Sequence, residues 1–224
     1  MKIVVMGLVA FVFITATACK DVPKADEAIT TAPKEVFDNE SATGVSYQAD
    51  LQKSNVGWVG TKPTGRHHGN FSLQSGSLNI ADNAITGGSF IIDINSITVF
   101  DENGSANAKL QKHLKSEDFF DVTKYPTAKF EITKVEKGII KTNDKPLVMK
   151  DATHTITGNL TMKDITKSIS FPAKIELAEN RLIAHAEFNI DRTQWGIVYG
   201  SDKSLGNKFI NPEVNLIVHL EANK

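Results

Sequence analysis

The chain has 224 residues, and its 25 basic and 26 acidic side chains leave a formal net charge of −1 at pH 7. This balance, with no basic cluster, excludes nucleic acid as a partner, because nucleic-acid binding needs a positively charged surface. The single cysteine excludes an intramolecular disulfide, and the stretch of about 180 residues from Val45 onward is long enough for one domain with a sizeable core.

The first nineteen residues, MKIVVMGLVAFVFITATAC, have the pattern of a secretory signal peptide. Lys2 supplies a positive charge, an apolar run follows, and small residues precede Cys19. The run is too short to cross a membrane, which takes about 20 residues. The sequence before Cys19 resembles a bacterial lipobox, with Ala16 where that motif prefers Leu. We predict a signal peptide over 1–18 and lipidation of Cys19; the alternative is a plain signal peptide with an incidental cysteine.

A lipidated Cys19 would place the protein in the cell envelope, anchored to a membrane on the periplasmic side or at the outer-membrane surface. Residues 19–43 are polar, mixed in charge and rich in Pro, Ala and Thr, which predicts a flexible tether behind the anchor. The folded domain is then expected over residues 44–224.

Apolar and polar residues alternate from Val45 onward, in segments such as NVGWVG, SFIIDINSITV, HTITGNLTM and VNLIVHL. This period of two predicts antiparallel strands, each with one apolar and one polar face. Turn-like stretches such as QSGS, ADNA and KDITK separate them. Seven or eight such strands in series predict an all-β sandwich or an up-and-down barrel.

One segment, NGSANAKLQKHLKSEDFFDV, departs from this alternation. Leu110 and Leu114 lie four residues apart, which predicts a short helical insertion near residues 105–122. Ser116 resembles the N-cap of a further helical turn. We expect this insertion to cover one mouth of a barrel, with its apolar residues acting either as a lid over a ligand or only as the core beneath a capping helix.

Six stretches resemble the signatures of the YceI-like family, in order from about residue 47 to 220: YQADLQKSNVGW, GTKPTGRHHGNF, GGSFIIDINSITVFD, LQKHLKSEDFFDVTKYPTAKF, ITGNLTMKDITKSISFP and FNIDRTQWGIVYG. Asp164 stands where the family usually has Gly, which puts the shape of one turn in doubt. The resemblance implies an eight-stranded antiparallel, lipocalin-like barrel that binds polyisoprenoids or other lipids. It implies no established catalytic reaction.

An eight-stranded barrel is either filled by its own side chains or holds one small ligand. The predicted inward positions mix large aromatic residues with Ala184 and Ala186, and the strands carry no charged residue on that face, which favours an uncharged, lined tunnel. Such a tunnel suits a long apolar lipid, namely a polyisoprenoid, an isoprenoid quinone or a fatty-acyl chain. No other cofactor is expected, and a homodimer is one option for the assembly. The predicted ligand-binding residues are Trp58, Phe71, Phe90, Ile92, Leu110, Leu114, Phe119, Phe120, Phe130, Ile156, Leu160, Phe171, Phe188 and Trp195.

No catalytic or metal site is predicted. His67 and His68 are neighbours in a strand connection, so we expect their side chains to diverge, with His68 facing solvent. We expect Asp191 and Arg192 to brace a strand end. Two alternatives remain open: an envelope enzyme acting on a lipid, with Asp191, His67 or His113 as the base, and a structural surface module with a filled barrel.

Overall fold

The computed structural model describes residues 21–36, 44–101, 104–139 and 146–224. The predicted signal peptide, 1–18, and Cys19 lie outside these residues and stay predictions. The strands in chain order are β1 (Asp26–Glu27), β2 (Ile29–Thr31), β3 (Val45–Ala49), β4 (Asn55–Lys62), β5 (Gly65–Ala81), β6 (Ala84–Asp93), β7 (Thr127–Lys137), β8 (His154–Met162), β9 (Ile165–Leu177), β10 (Arg181–Asp191) and β11 (Glu213–Asn223). The helix α1 spans Gly104–Lys115, and short 3-10 turns span Ile94–Ser96, Arg192–Trp195 and Lys203–Lys208.

Strands β4 to β11 form a closed antiparallel barrel, as the sequence predicts. Each strand pairs with the next from β4 to β10, β11 pairs with both β10 and β4, and β9 pairs with β10. The strand β3 extends the wall beyond the start of β4, between the ends of β5 and β11. The apolar faces meet inside because successive side chains of a strand point to opposite faces.

A change of parity within β5 has a structural cause. Phe71 and Leu73 are buried at odd positions, whereas Leu78 and Ile80 are buried at even positions. The pairing of β5 with β6 shifts register between Leu73 and Ser75. A β-bulge inserts one residue and so returns the apolar residues to the inner face.

The predicted helical insertion is present, but its helix ends before residue 122. The helix α1 ends at Lys115, and residues 116–126 continue to β7 as turns and irregular chain. The hydroxyl of Ser116 donates to the carbonyl of His113 at 2.8 Å, so Ser116 closes the end of α1 and does not begin a second helix. Asp121, with φ of 48°, interrupts any further helical turn. Among the described residues, no helix is both long and apolar enough to span a bilayer.

The predicted flexible tether is wrong over residues 26–34, which we call the N-terminal strap. In the strap, β1 pairs with β10 in parallel and β2 pairs with β9 in antiparallel. Strands β9 and β10 pair directly only where residues 174–177 meet residues 182–185, and the strap fills the rest of the seam between them. A polar segment binds there because the separated strand edges offer unpaired backbone groups.

Candidate functional site

An apolar cavity of about 250 Å³ occupies the barrel interior. It is larger than the cavity of about 150 Å³ that holds benzene in an apolar protein core. The eight barrel strands, the helix α1 and the connection from β10 to β11 all contribute to its wall. The barrel's own side chains therefore line its interior without filling it. The packing does not support the alternative of a structural module with a filled barrel.

Most of the predicted ligand-binding side chains lie on this wall. Phe171 and Phe188 stack with their ring centroids 4.0 Å apart, and Phe130 lies 5.9 Å from Phe171, so aromatic faces cover one side of the interior. Their role in holding a ligand stays a prediction. The predicted residues on the wall are Trp58, Phe71, Phe90, Ile92, Leu114, Phe120, Phe130, Ile156, Leu160, Phe171 and Phe188.

Three predicted residues do not line the cavity. Leu110 lies one turn before Leu114 on α1 and packs only against the margin of the core. The Phe119 ring packs outside the wall, with centroids 5.1 Å from His113. Trp195 is fully buried, but its indole N–H donates to the carbonyl of Leu160 at 2.9 Å. Trp195 therefore seals the end of the barrel beside β8.

The wall also includes residues that were not among the predicted ligand-binding residues. Ile190, Leu216 and Val218 lie on the apolar face of β10 and β11, so the alternation alone could have found them. Ile197 and Ile210 come from the connection between these strands and line the cavity as well. No period marks such loop residues, so the sequence carries no signal for them.

Arg192 is the exception to the uncharged interior. It follows β10, lines the cavity and is only 5% exposed. Its guanidinium donates to the backbone carbonyls of Asn211, Ile197, Tyr199 and Ile210. Burial lowers the pKa of Arg192, partly offset by the negative charge of Asp191. Arg192 thus holds the connection to β11 in place, which is the bracing role expected of it.

The histidine doublet shares a partner, contrary to the expected divergence. Both residues lie within β5, and His67 Nδ1 is hydrogen-bonded to Asp101 Oδ2. The Nδ1 of His68 lies 3.4 Å from Asp101 Oδ1, and its ring packs edge-on against Phe100. Gly69 follows the two histidines in the stretch GTKPTGRHHGNF, and a Cβ atom there would lie 1.7 Å from the carbonyl oxygen of Thr98. The motif therefore anchors the chain that leaves β6.

The proposed general bases lie off the cavity wall. His67 and His113 bind carboxylates near the α1 end of the barrel, Asp101 and Asp118 respectively. The carboxylate of Asp191 accepts from the backbone N–H and the hydroxyl of Thr193, and so caps a 3-10 turn. Across the described ranges, no group of three or more His, Cys, Asp or Glu residues could hold a metal ion.

Comparison with proteins of known sequence finds relatives that match part of this chain. A UPF0312 protein of Pseudomonas putida strain F1 is 44% identical over 69 residues, which are 31% of this chain and 30% of that protein. A UPF0312 protein of Pectobacterium carotovorum is 32% identical over 111 residues, 48% of this chain and 52% of that protein. The matches thus span from under a third to about half of these relatives.

Two solved structures share the fold. Burkholderia cenocepacia BcnA matches with a TM-score of 0.56 and 20% identity, over 78% of this chain and 99% of its own. A polyisoprenoid binding domain from Saccharophagus degradans, implicated in plant cell wall breakdown, matches with a TM-score of 0.54 and 16% identity, over 79% of this chain and 97% of its own. The sequence profile of the YceI-like domain matches residues 47–222, nearly the whole barrel. With this match over most of its length, the chain belongs to the YceI-like family.

Proposed function

We propose that the barrel binds a long apolar lipid in its cavity and carries or sequesters it without changing it chemically. The observation that carries this proposal is the cavity itself, which is lined mainly by aliphatic and aromatic side chains. Each methylene moved from water into such a wall contributes about 0.8 kcal/mol, so a long chain binds firmly with no polar contact.

The wall favours a lipid without an ionised head. No Asp, Glu or Lys of the described residues lines the cavity, and Arg192 is its one permanent charge. The guanidinium of Arg192 is directed at four backbone carbonyls, which leaves little of it for a carboxylate. A buried carboxylate without a partner is costly. A polyisoprenoid or an isoprenoid quinone therefore suits the cavity better than a fatty acid, in keeping with the neighbour named as a polyisoprenoid binding domain.

Extraction of the purified protein with organic solvent, followed by mass spectrometry, tests this proposal. We expect about one long-chain neutral lipid per protein. The variant Ala186→Phe puts a ring into the cavity from β10 and should lose the lipid while keeping its circular dichroism spectrum. Glu187→Ala, on the outward parity of the same strand and off the cavity wall, should retain it. Wild-type protein that yields no lipid, or Ala186→Phe with full lipid content, would contradict the proposal.

The proposed setting is the cell envelope, with the chain attached to a membrane through a lipidated Cys19. This part rests on the N-terminal sequence pattern alone. Cells grown with radiolabelled palmitate should incorporate label into the wild-type chain and not into Cys19→Ser. Label in both chains would argue against an anchor at Cys19.

A further inference from the structure

The connection from β10 to β11 has an outer surface that the cavity does not explain. We call residues 196–209 of this connection the mouth loop. Near its start, Ile197 lines the cavity and is 2% exposed. The next residues turn outward: Val198 is 58% exposed, Tyr199 is 43% exposed and Leu205 is 45% exposed. The loop therefore lines the cavity with one residue and presents apolar side chains to the outside with its neighbours.

The mouth loop is held in this shape by contacts to the barrel. Arg192 donates to the carbonyls of Ile197 and Tyr199, and the backbone N–H of Ile210 donates to Gly200 at 2.8 Å. The Tyr199 ring packs against His113 at 4.9 Å between centroids. The apolar residues are thus held outward by a fixed backbone, and their exposure is a feature of the fold.

A second apolar contact and two cations extend this surface. Ile165, the first residue of β9, is 36% exposed, and its Cδ1 lies 3.4 Å from where a Cβ atom on Gly196 would be. Lys203 and Lys208 are exposed on the mouth loop, and in the described part of the chain neither forms an ion pair. The nearby carboxylate of Asp202 is bonded to the backbone N–H of Ser204.

We propose that the mouth loop docks this end of the barrel onto an anionic phospholipid bilayer. The side chains of Val198 and Leu205 would enter the headgroup region, and Lys203 and Lys208 would bind lipid phosphates. A few exposed side chains on one loop are too small an area for a stable protein partner, which needs about 800 Å² on each side. Exposed apolar residues flanked by lysines fit an anionic membrane surface instead.

This docking goes beyond lipid binding, because it uses the outside of the loop and can be measured whatever the cavity contains. It orients the barrel so that the cavity wall at Ile197 lies next to the bilayer.

An environment-sensitive dye on a single cysteine tests the orientation. In the full chain with Cys19→Ser, the dye is attached to Leu205→Cys or to the matched control Ile217→Cys, on the wall strand β11. These two positions are 45% and 43% exposed, so the dye starts in similar surroundings. The chains are mixed with vesicles of phosphatidylcholine, with or without phosphatidylglycerol. Any attachment through the N-terminal apolar segment is common to both.

We expect a blue shift of emission at position 205, only with phosphatidylglycerol, and none at position 217. Combining Lys203→Glu with Lys208→Glu should abolish the shift. No shift at 205, or equal shifts at both positions, would overturn the docking surface. A shift that appears without vesicles and grows with protein concentration would assign the surface to a second copy of the chain. Mass spectrometry of the same samples reports separately whether the cavity holds a lipid.

Discussion

Ser168 and Ser170 show how the strap changes the surroundings of single residues. The alternation places both on the polar face of β9, yet Ser168 is only 1% exposed. The strap pairs Thr31 with Ser168, and its Lys34 bonds Asn159, the residue opposite Ser168 on β8, so the chain crosses over the serine. Among the described residues the Ser168 hydroxyl has no hydrogen-bond partner, whereas that of Ser170 bonds Thr157 at 2.7 Å.

Replacing each serine by alanine should therefore have opposite effects. Ser168→Ala removes a buried hydroxyl without a partner and should raise the free energy of unfolding by about 1 kcal/mol. Ser170→Ala removes a bonded hydroxyl and should lower it by about 1 kcal/mol. Urea unfolding of the two variants measures both values, and a loss of stability in Ser168→Ala would show that the hydroxyl is bonded.

A second residue-scale feature is the cross-strand pair His185 and His219. Their rings lie 4.5 Å apart between centroids, with 3.2 Å between the two Nδ1 atoms. Burial, and then the charge of His185, lower the pKa of His219 from its ordinary value of 6.5. Above that value the imidazole is neutral in both states. As the pH falls below it, the unfolded chain takes up the proton first, so the folded state loses stability.

We therefore expect His219→Gln to reduce the fall in melting temperature between about pH 8 and about pH 5. His113→Gln, at the α1 end of the barrel, controls for the loss of a histidine as such. Thermal melts at matched ionic strength measure the effect. If His219→Gln melts in parallel with the wild type over this range, the pair has no part in acid sensitivity.

The backbone shows the shape of the turn at Asp164, where the family usually has Gly. Lys163 and Asp164 have φ of 48° and 59°, and the residues Asp82 and Asn83 in the turn between β5 and β6 have 50° and 59°. Two residues of positive φ in succession form the tight turn that matches the twist of a hairpin, and Asp and Asn tolerate it better than most residues. The turn thus keeps its shape without the family's glycine.

At the scale of elements, the N-terminal strap is the part that sequence analysis missed. Its hydrogen bonds go to distant residues: the carboxylate of Asp26 accepts from the backbone N–H groups of Val148 and Met149, and Lys34 exchanges two bonds with the side chain of Asn159. A polar composition predicts a tether because it offers no apolar period. The strap is nevertheless ordered, since it supplies backbone partners to β9 and β10.

Asn159→Ala should loosen the strap. Both bonds to Lys34, at 3.0 and 2.7 Å, are lost, and we expect the free energy of unfolding to fall by about 2 kcal/mol. Limited proteolysis should cut near Lys34 faster than in the wild type. Asn79→Ala, on β5 and away from the strap, is the control. Equal cleavage rates in both variants would mean that the Asn159 amide does not hold the strap.

At the scale of the whole molecule, the cavity makes stability depend on its occupant. A ligand that binds only the folded barrel stabilises it by mass action, by about 2.7 kcal/mol at 100 times its Kd. Delipidated wild-type protein should therefore melt several degrees lower than protein as purified, and adding back the extracted lipid should restore the difference. Ala186→Phe should melt at one temperature with or without lipid. A wild-type melt unaffected by delipidation would argue that no lipid fills the cavity.

The alternation alone left a sandwich and a barrel open, and the resemblance to the YceI-like family favoured the barrel. What the sequence determined by itself is the strands and their apolar faces. These follow from a period of two, which is a local property of each segment. It also placed residues such as Phe90 and Phe188 on the inner wall, because the facing of a strand residue is set by its neighbours in the chain.

Only the tertiary structure decided which residues complete the cavity and the wall. Ile197 and Ile210 line the cavity, whereas Trp195 lies outside it. The strap closes the seam between β9 and β10. Each depends on pairing or packing between residues far apart in the chain. Local periodicity carries no record of such contacts, because it reflects only the face of its own strand on which a residue lies.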